Sequence, residues 1–243
     1  MMYIRHKLVE VNVALMTVLV LITVSIGGIV EIMPLFTIES TIEEVDGVRP
    51  YSPLELAGRN IYIREGCYNC HSQQIRPFRD EVERYGHYSL AAESKFDHPF
   101  QWGSKRTGPD LARVGGKYSN DWQVAHLIDP RAVVPESIMP GYPFLAEREL
   151  KMDDVADHLR TLQLINSESY TDEQIEFALA DLKAQADPDG DHEAVQARYP
   201  KAVVGDFDGN PDKLTEMDAL VAYLQMLGTL VDFTQYKPED LVQ

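Results

Sequence analysis

The chain of 243 residues contains only two cysteines, Cys67 and Cys70, so no further cysteine is left to form a disulfide once one group uses both. It has no internal repeats, and no segment alternates apolar and polar side chains as a strand would. Basic residues are also scarce, since the formal net charge is −17. An acidic field repels nucleic acid and attracts a cationic partner protein, or simply keeps the surface soluble. These absences favour an all-α protein that binds no nucleic acid.

Charged residues are absent from one apolar stretch, residues 11–30. At about 1.5 Å per residue, a helix of this length spans roughly 30 Å, the thickness of a bilayer core. The stretch is long for a signal peptide, and no clear cleavage site precedes Glu31, so we predict a retained anchor in contact with membrane lipid. Arg5 and Lys7 precede it. We therefore expect a single-pass protein of the bacterial inner membrane, with a cytoplasmic N-terminus and a periplasmic remainder.

Both cysteines belong to one C-x-x-C-H motif, which ends at His71. Two thiols at this spacing can add to the vinyl groups of one haem, and the adjacent histidine then reaches the iron. The motif therefore indicates one covalently attached haem c, with His71 as an axial ligand. A redox or zinc C-x-x-C is the alternative. Zinc requires a second ligand pair and a thioredoxin-like site requires a βαβ unit, and the sequence suggests neither.

Met139 is the predicted second ligand of the iron. It lies in a loop stiffened by Pro135 and Pro140, and such a loop can present a thioether at little entropic cost. Methionine ligation raises the reduction potential, which suits a centre late in a respiratory chain. The other methionines considered are Met33, Met152, Met217 and Met226. Ligation by a second histidine is the alternative, with His87, His98, His126, His158 and His192 available.

Outer contacts of the haem can also be predicted. The proximal imidazole needs an acceptor for its second nitrogen, and the carbonyl of Pro109 in a Gly-Pro turn offers one. Arg76, Arg79 and Arg106 are candidates for charge-assisted pairing with the haem propionates, although each is as well suited to a surface or interfacial role.

Helix signals after the anchor predict one large domain. Capping boxes begin helices at Ser52 and Thr171, and the last helix begins near Thr215, with Asp218 three residues on and Gly228 as a natural C-cap. The predicted helices are 52–65, 121–128, 150–164, 172–186 and 216–227. The predicted divisions are an N-terminus with its anchor (1–36), a linker (37–51), the periplasmic domain (52–228) and a C-terminal tail (229–243). The segment 72–107 is longer than a simple connecting loop, so we expect it to have a functional or interfacial role.

Residues 184–212 stand out because they carry seven acidic side chains against Arg198 and Lys201. The loops 187–191 and 206–210 faintly resemble calcium loops, but neither has the full ligand series ending in a bidentate Glu. We predict a solvated, turn-rich acidic insertion, with a calcium site as the alternative.

Several of these residues together resemble a known family. Gly58 and Tyr62, the haem motif, Gly108-Pro109, Met139-Pro140 and a late L-x-x-Y-L look like the class I cytochrome c pattern. Longer blocks resemble the monohaem subunit (subunit II) of cbb3-type cytochrome c oxidases. These blocks are C-Y-N-C-H-S-Q-Q-I-R-P-F (67–78), E-R-Y-G-H-Y (83–88), D-H-P-F-Q-W-G-S-K-R-T-G-P-D (97–110) and S-I-M-P (137–140).

The resemblance implies a class I cytochrome c-like domain tethered by one N-terminal transmembrane helix. It also implies electron transfer within a complex that reduces O2 to water, beside a haem–copper catalytic subunit and a dihaem cytochrome c subunit. The family's haem residues fall on Cys67, Cys70, His71 and Met139. Residues 184–212 depart from the family pattern. The alternatives are the membrane-anchored cytochrome c subunit of a nitric oxide reductase, and a haem enzyme or gas sensor with an open iron site.

Overall fold

The computed structural model describes residues 2–36, 42–43, 45–103, 105–165 and 169–236. Its residues group into two compact units, 1–43 and 44–242. The regular elements of the described residues are helices, and the only extended pairing among them is an isolated bridge between Glu149 and Thr215. The prediction of an all-α protein is confirmed.

The N-terminal unit contains the apolar helix. Helix α1 (Met2–Val11) is followed by α2 (Val13–Ile32), and the side chain of Asn12 caps α2 by accepting the Leu15 N–H at 3.1 Å. Residues Val13–Leu35 have a mean hydropathy of 2.6 and are long and apolar enough to cross a membrane. This unit fits a single-pass anchor, and the helix lies two residues further along the chain than the predicted 11–30.

The second unit is a helical domain. Its helices are α3 (Pro53–Arg64), α4 (Arg79–Tyr85), α5 (Asn120–Ile128), α6 (Pro130–Val133), α7 (Phe144–Glu147), α8 (Val155–Ile165), α9 (Asp172–Glu176), α10 (Ala178–Ala186), α11 (His192–Arg198) and α12 (Glu216–Met226). The two predicted capping boxes are present at the starts of α3 and α9, and Thr215 and Asp218 form a third at the start of α12. Gly228 adopts the positive φ of +75° that follows a helix end.

The first and last helices of this domain, α3 and α12, cross closely. A Cβ placed on Gly58 would lie 1.8 Å from the carbonyl oxygen of Ala219, so only glycine allows this approach. Tyr62 and Tyr223 pack across the crossing with their ring centroids 5.6 Å apart. The crossing forms the centre of the hydrophobic core and fixes the end of α3, from which the haem motif follows.

Some predicted helices differ from the structure. The predicted helix 150–164 begins only at Val155, because the chain at its predicted start pairs with the segment before α12: Glu149 forms a bridge with Thr215 and the Leu150 N–H donates to the Leu214 carbonyl. The predicted helix 172–186 is two helices, since Phe177 between them has ψ near 3°. Helices α4 and α11 were not predicted, because seven residues are too few to show a clear apolar period.

The acidic segment 184–212 is more ordered than predicted. It contains α11, and its residues Val195, Tyr199 and Phe207 are fully buried in the main core. The expectation of a solvated insertion is therefore wrong for its apolar residues, whereas Asp187 and Asp189 are exposed as expected. The apolar positions anchor the segment, because burying them stabilises it by roughly 1.5–3 kcal/mol per large side chain.

Candidate functional site

The C-x-x-C-H motif forms one tight turn directly after α3. Gly66, with φ of +74°, redirects the chain into a 3-10 turn over Cys67–Asn69. The Cys67 carbonyl accepts the N–H groups of Cys70 and His71, at 3.1 and 3.0 Å. Burial raises the pKa of the Cys67 thiol to about 12. A redox-active cysteine needs a lowered pKa, so this environment does not favour the redox alternative.

His71 makes the predicted contact with Pro109. Its Nδ1 lies 2.8 Å from the Pro109 carbonyl oxygen. A carbonyl can only accept, so Nδ1 must carry the proton and donate. The Nε2 lone pair is then left for a metal, which is the tautomer that an iron ligand requires.

Gly108 lies flat against the His71 ring. A Cβ at this position would come within 2.2 Å of the ring's Cε1 and within 2.7 Å of both nitrogens. The Gly108 N–H also donates to the Cys70 carbonyl at 2.9 Å, and the Leu111 N–H donates to the Ser72 carbonyl at 2.9 Å. The chain on the proximal side therefore supports the imidazole directly with backbone atoms.

A buried carboxylate that sequence reasoning missed, Asp110, holds this proximal segment in place. It accepts hydrogen bonds from the Ser72 hydroxyl at 2.6 Å, the Gln74 N–H at 2.9 Å and the Ala112 N–H at 2.8 Å. Its position after Gly-Pro in a turn was a signal for such a role, because Asp side chains bond neighbouring backbone in turns.

The three arginines predicted to face the propionates have carboxylate partners in the protein. Arg106 donates to Glu81 at 2.7 Å and to the Ser72 hydroxyl at 2.7 Å, and Arg76 also pairs with Glu81. These contacts, with that of Arg106 the largest, lower the pKa of Glu81 to about 2. Arg79 is 91% exposed and pairs with Glu83. The structure thus joins Arg76 and Arg106 at one carboxylate and places Arg79 on the surface.

The Met139 loop packs on the last turn of α5. The Tyr142 N–H donates to the Leu127 carbonyl at 2.6 Å, and the Met139 N–H donates to the Ser137 hydroxyl at 3.2 Å. Burial raises the pKa of Tyr142, and the charges of Cys67 and Cys70 raise it further. Met139 itself is partly buried against the core.

The other methionines have positions that suit packing. Met217 and Met226 are buried within α12, Met152 is partly buried against the core, and Met33 is 61% exposed in the N-terminal unit. Of the other histidines, His87 stacks on Phe233, His158 lies 3.3 Å from Asn60, and Nε2 of His192 lies 2.7 Å from the Asp187 carbonyl. The backbone carbonyl of His98 accepts from Arg59 at 3.4 Å.

A separate group of carboxylates lies at the start of α12. One oxygen each from Asp206, Asp208 and Asp218 lie within 4.8 Å of one another. Burial, and then the charge of Asp208, raise the pKa of Asp218 to about 6 despite hydrogen bonds from Thr215. Asp206 and Asp208 are close in the sequence and lie in one loop, whereas Asp218 approaches them only in the folded structure.

The residues of the motif fit a haem c. The two thiols share one turn, His71 offers Nε2, and Gly108 brings no side chain against the ring. Met139 and Cys67 are both partly buried against the same hydrophobic core. The arrangement can hold an iron porphyrin covalently and ligate its metal from the protein.

Comparison with known proteins agrees with this site. A protein-family model described as "Cytochrome C oxidase, mono-heme subunit/FixO" matches residues 6–231. A search of curated proteins found no match. The matched range includes the apolar helix, the haem motif, Met139 and the acidic segment, and it confirms the resemblance to the monohaem subunit of cbb3-type oxidases. The chain belongs to the family of monohaem subunits of cytochrome c oxidase.

Proposed function

We propose that this chain relays electrons through one covalently attached haem c to the haem–copper catalytic subunit of a cbb3-type oxidase, which reduces O2 to water. The hydrogen bond of His71 to Pro109 carries the proposal at the site, because it leaves Nε2 as the iron ligand. Family membership supports the rest. When bound, the haem takes up and releases one electron.

The chain's own residues have distinct roles in this proposal. Cys67 and Cys70 would hold the haem through thioether bonds, and His71 and Met139 would supply the nitrogen and the sulfur that ligate its iron. Pro109 orients the imidazole and increases its basicity. The propionate partners are proposed among Arg76, Arg79 and Arg106, of which Arg106 is the least exposed at 25%.

Substitution of Met139 tests the iron site. Met139→Ala should lower the reduction potential and let added imidazole bind the oxidised iron, because a sixth ligand that raises the potential is lost. Met152→Ala is the matched control and should change neither property. An unchanged potential and an unchanged spectrum in Met139→Ala would falsify the ligand assignment.

Purification from membranes tests the partners. The complex should contain a copper-binding catalytic subunit and a dihaem cytochrome c, and its O2 uptake should be sensitive to cyanide or azide. Consumption of nitric oxide by a complex without copper would instead support the reductase alternative and contradict the oxidase.

Protease treatment tests the proposed orientation. We place the haem domain in the periplasm, because Arg5 and Lys7 lie before the apolar helix and Glu31 follows its uncharged stretch. A protease added to spheroplasts should remove the haem domain, and fractionation should keep the intact chain in the membrane. A soluble chain shortened at its N-terminus would contradict the anchor.

A further inference from the structure

Two large aromatic side chains in the segment 72–107 are exposed side by side. The rings of Phe100 and Trp102 stack with their centroids 4.5 Å apart and their planes 4° from parallel. Phe100 is 56% exposed and Trp102 is 37% exposed, whereas Gln101 between them is buried. Single exposed apolar residues are common, but adjoining ones mark interaction sites, and aromatic residues are enriched in the cores of protein interfaces. We call this pair the aromatic stack.

The loop that carries the aromatic stack is held in one conformation by buried polar contacts. The Trp102 indole N–H donates to the Ser94 hydroxyl at 3.1 Å, and the Trp102 carbonyl accepts the Gln73 N–H at 2.9 Å. Arg59, which is buried on α3, donates to the Asp97 carboxylate at 3.0 Å just before the stack. A surface that is already ordered loses less conformational entropy when a partner binds.

The same loop lies directly against the backbone of the haem motif. Gly103 follows the stack with a φ of +68°, and a Cβ on it would lie 3.1 Å from the His71 carbonyl oxygen and 3.4 Å from the Tyr68 carbonyl oxygen. A partner that binds on the aromatic stack is therefore separated by a single loop from His71, the proposed iron ligand.

The charge around the aromatic stack differs from that of the rest of the chain. Residues 72–107 have a net charge of +1, from six basic and five acidic side chains, which leaves −18 for the remainder of the chain. Lys105 is exposed three residues after Trp102. A basic soluble donor is attracted to the acidic remainder and not to this segment, whereas a partner with carboxylates at the border of an apolar surface fits here.

We infer that the aromatic stack is the surface by which this chain docks on the haem–copper catalytic subunit. The inference rests on the proposed function. Permanent interfaces between subunits are more apolar than the small, transient encounters of soluble electron carriers, and exposed aromatic rings suit the permanent kind. The facing surface of the catalytic subunit is apolar and is bordered by carboxylates.

Photo-crosslinking in membranes tests this contact directly. p-Benzoylphenylalanine in place of Phe100 keeps an aromatic ring at an exposed position, and illumination joins it to the molecule that lies against it. We expect a crosslink to the catalytic subunit, identified by mass spectrometry. The same group in place of Leu179, which is 43% exposed on α10, is the control and should give no such crosslink.

A charge introduced into the aromatic stack tests its contribution to binding. Phe100→Asp removes a ring and places a carboxylate opposite those of the partner, so the catalytic subunit retained by the tagged chain should fall by about tenfold, as for a central interface aromatic. Phe100→Trp should retain it, and Leu179→Asp, with the same change of charge, should match the unmodified chain. The haem absorption spectrum checks folding, and reduction of the detergent-solubilised Phe100→Asp chain by a basic cytochrome should be unchanged.

The outcomes separate this inference from the proposed function. A crosslink from position 100 only to the dihaem subunit, to lipid or to a second copy of this chain would overturn the inference, and so would no crosslink at all. Equal retention of the catalytic subunit by Phe100→Asp and the unmodified chain would also overturn it. If Phe100→Asp lacks the haem spectrum, the crosslink decides. Failure of the unmodified chain to copurify with any haem–copper subunit would instead contradict the proposed function.

Discussion

At the scale of single residues, Gly108 lies against the ring of His71, the residue that we propose as a haem ligand. In Gly108→Ala the methyl group would overlap the His71 ring, so the ring must turn and lose its hydrogen bond to Pro109. We expect a loss of about 1–3 kcal/mol in the free energy of unfolding and a shifted haem spectrum. Denaturant unfolding and absorption spectroscopy measure these changes.

The matched control for Gly108→Ala is Pro109→Ala, which keeps the backbone carbonyl that accepts from His71. It should keep the spectrum of the unmodified chain. If Gly108→Ala also kept that spectrum, the close contact between Gly108 and the ring would not matter for the iron site.

Asp218 makes stability depend on pH. Its folded pKa of about 6 lies above the ordinary value of 3.8, so the fold binds the protonated form more tightly. This contribution is fully present below about pH 4 and is lost as the pH rises through about 6, and its size is of order 3 kcal/mol. Asp218→Asn should lack this fall in stability between pH 4 and 6.

Unfolding of the full chain by denaturant, measured from pH 4 to 7, tests the role of Asp218. Asp212→Asn removes an exposed acid of the same segment and is the control, with a profile like that of the unmodified chain. Parallel profiles for the unmodified chain and Asp218→Asn would refute the prediction.

Site residues can be predicted from the sequence when their partners are close to them in the chain, and less well when the partners are distant. Cys67, Cys70 and His71 share one motif, and a proximal carbonyl at Pro109 could be expected from a turn. Two features could not be predicted from the sequence: the sharing of the Glu81 carboxylate by two arginines and the approach of Asp218 to Asp208. Each depends on segments that only the tertiary fold brings together. The Nδ1 atom of His126, buried and without a hydrogen-bond partner among the described residues, is likewise visible only when burial is known.

At the scale of elements, the crossing of α3 and α12 depends on Gly58. Gly58→Ala would place a methyl carbon 1.8 Å from the Ala219 carbonyl oxygen and 2.8 Å from Cβ of Tyr223, and neither atom can move without shifting a helix. We expect destabilisation of about 3 kcal/mol, at the upper end for overpacking. Thermal and denaturant unfolding would show it.

Gly27→Ala is the control for the helix crossing, since a Cβ there meets no atom within 4 Å. It should leave the unfolding of the helical domain unchanged. A Gly58→Ala chain as stable as the Gly27→Ala chain would mean that the two helices can separate at little cost.

Helix starts were more predictable than helix lengths. Ser52, Thr171 and Thr215 mark their helices because each capping box is a local pattern of four residues. The delayed start of α8 at Val155 and the break at Phe177 have no such local signal, since backbone contacts with Leu214 and the rest of the domain decide them. Tertiary contacts override propensity at such positions.

At the scale of the whole molecule, composition predicted the class and the anchor but not the packing of the acidic segment. A run of about twenty apolar residues is a signal in itself, and α2 follows it closely. The high acidic content of residues 184–212 did not indicate that some of their apolar residues join the core. These are Val195, Tyr199, Ala202 and Phe207. Average polarity therefore described the surface of the segment and not its interior.

The acidic surface leads to a prediction about partners. The net charge of −17 should attract a basic soluble cytochrome and speed its encounter with the haem domain. Raising the ionic strength from about 0.01 to 1 M shortens the screening length from roughly 30 to 3 Å, so electron transfer from a basic donor should slow by tenfold or more. Stopped-flow reduction of the full chain in detergent measures this rate.

Charge reversal identifies which acids attract the donor. Asp187, Asp189 and Glu193 are exposed on the acidic segment, so their joint replacement by lysine changes the charge by six without touching the core. If this segment steers the donor, the triple variant should slow reduction at low salt and match the unmodified chain at high salt, where screening removes long-range attraction. An acidic donor is the control. Because the unmodified surface repels it, its electron transfer to the unmodified chain should be slower at low salt than at high salt. Equal rates for the triple variant and the unmodified chain at low salt would show that the field of this segment does not reach the docking path.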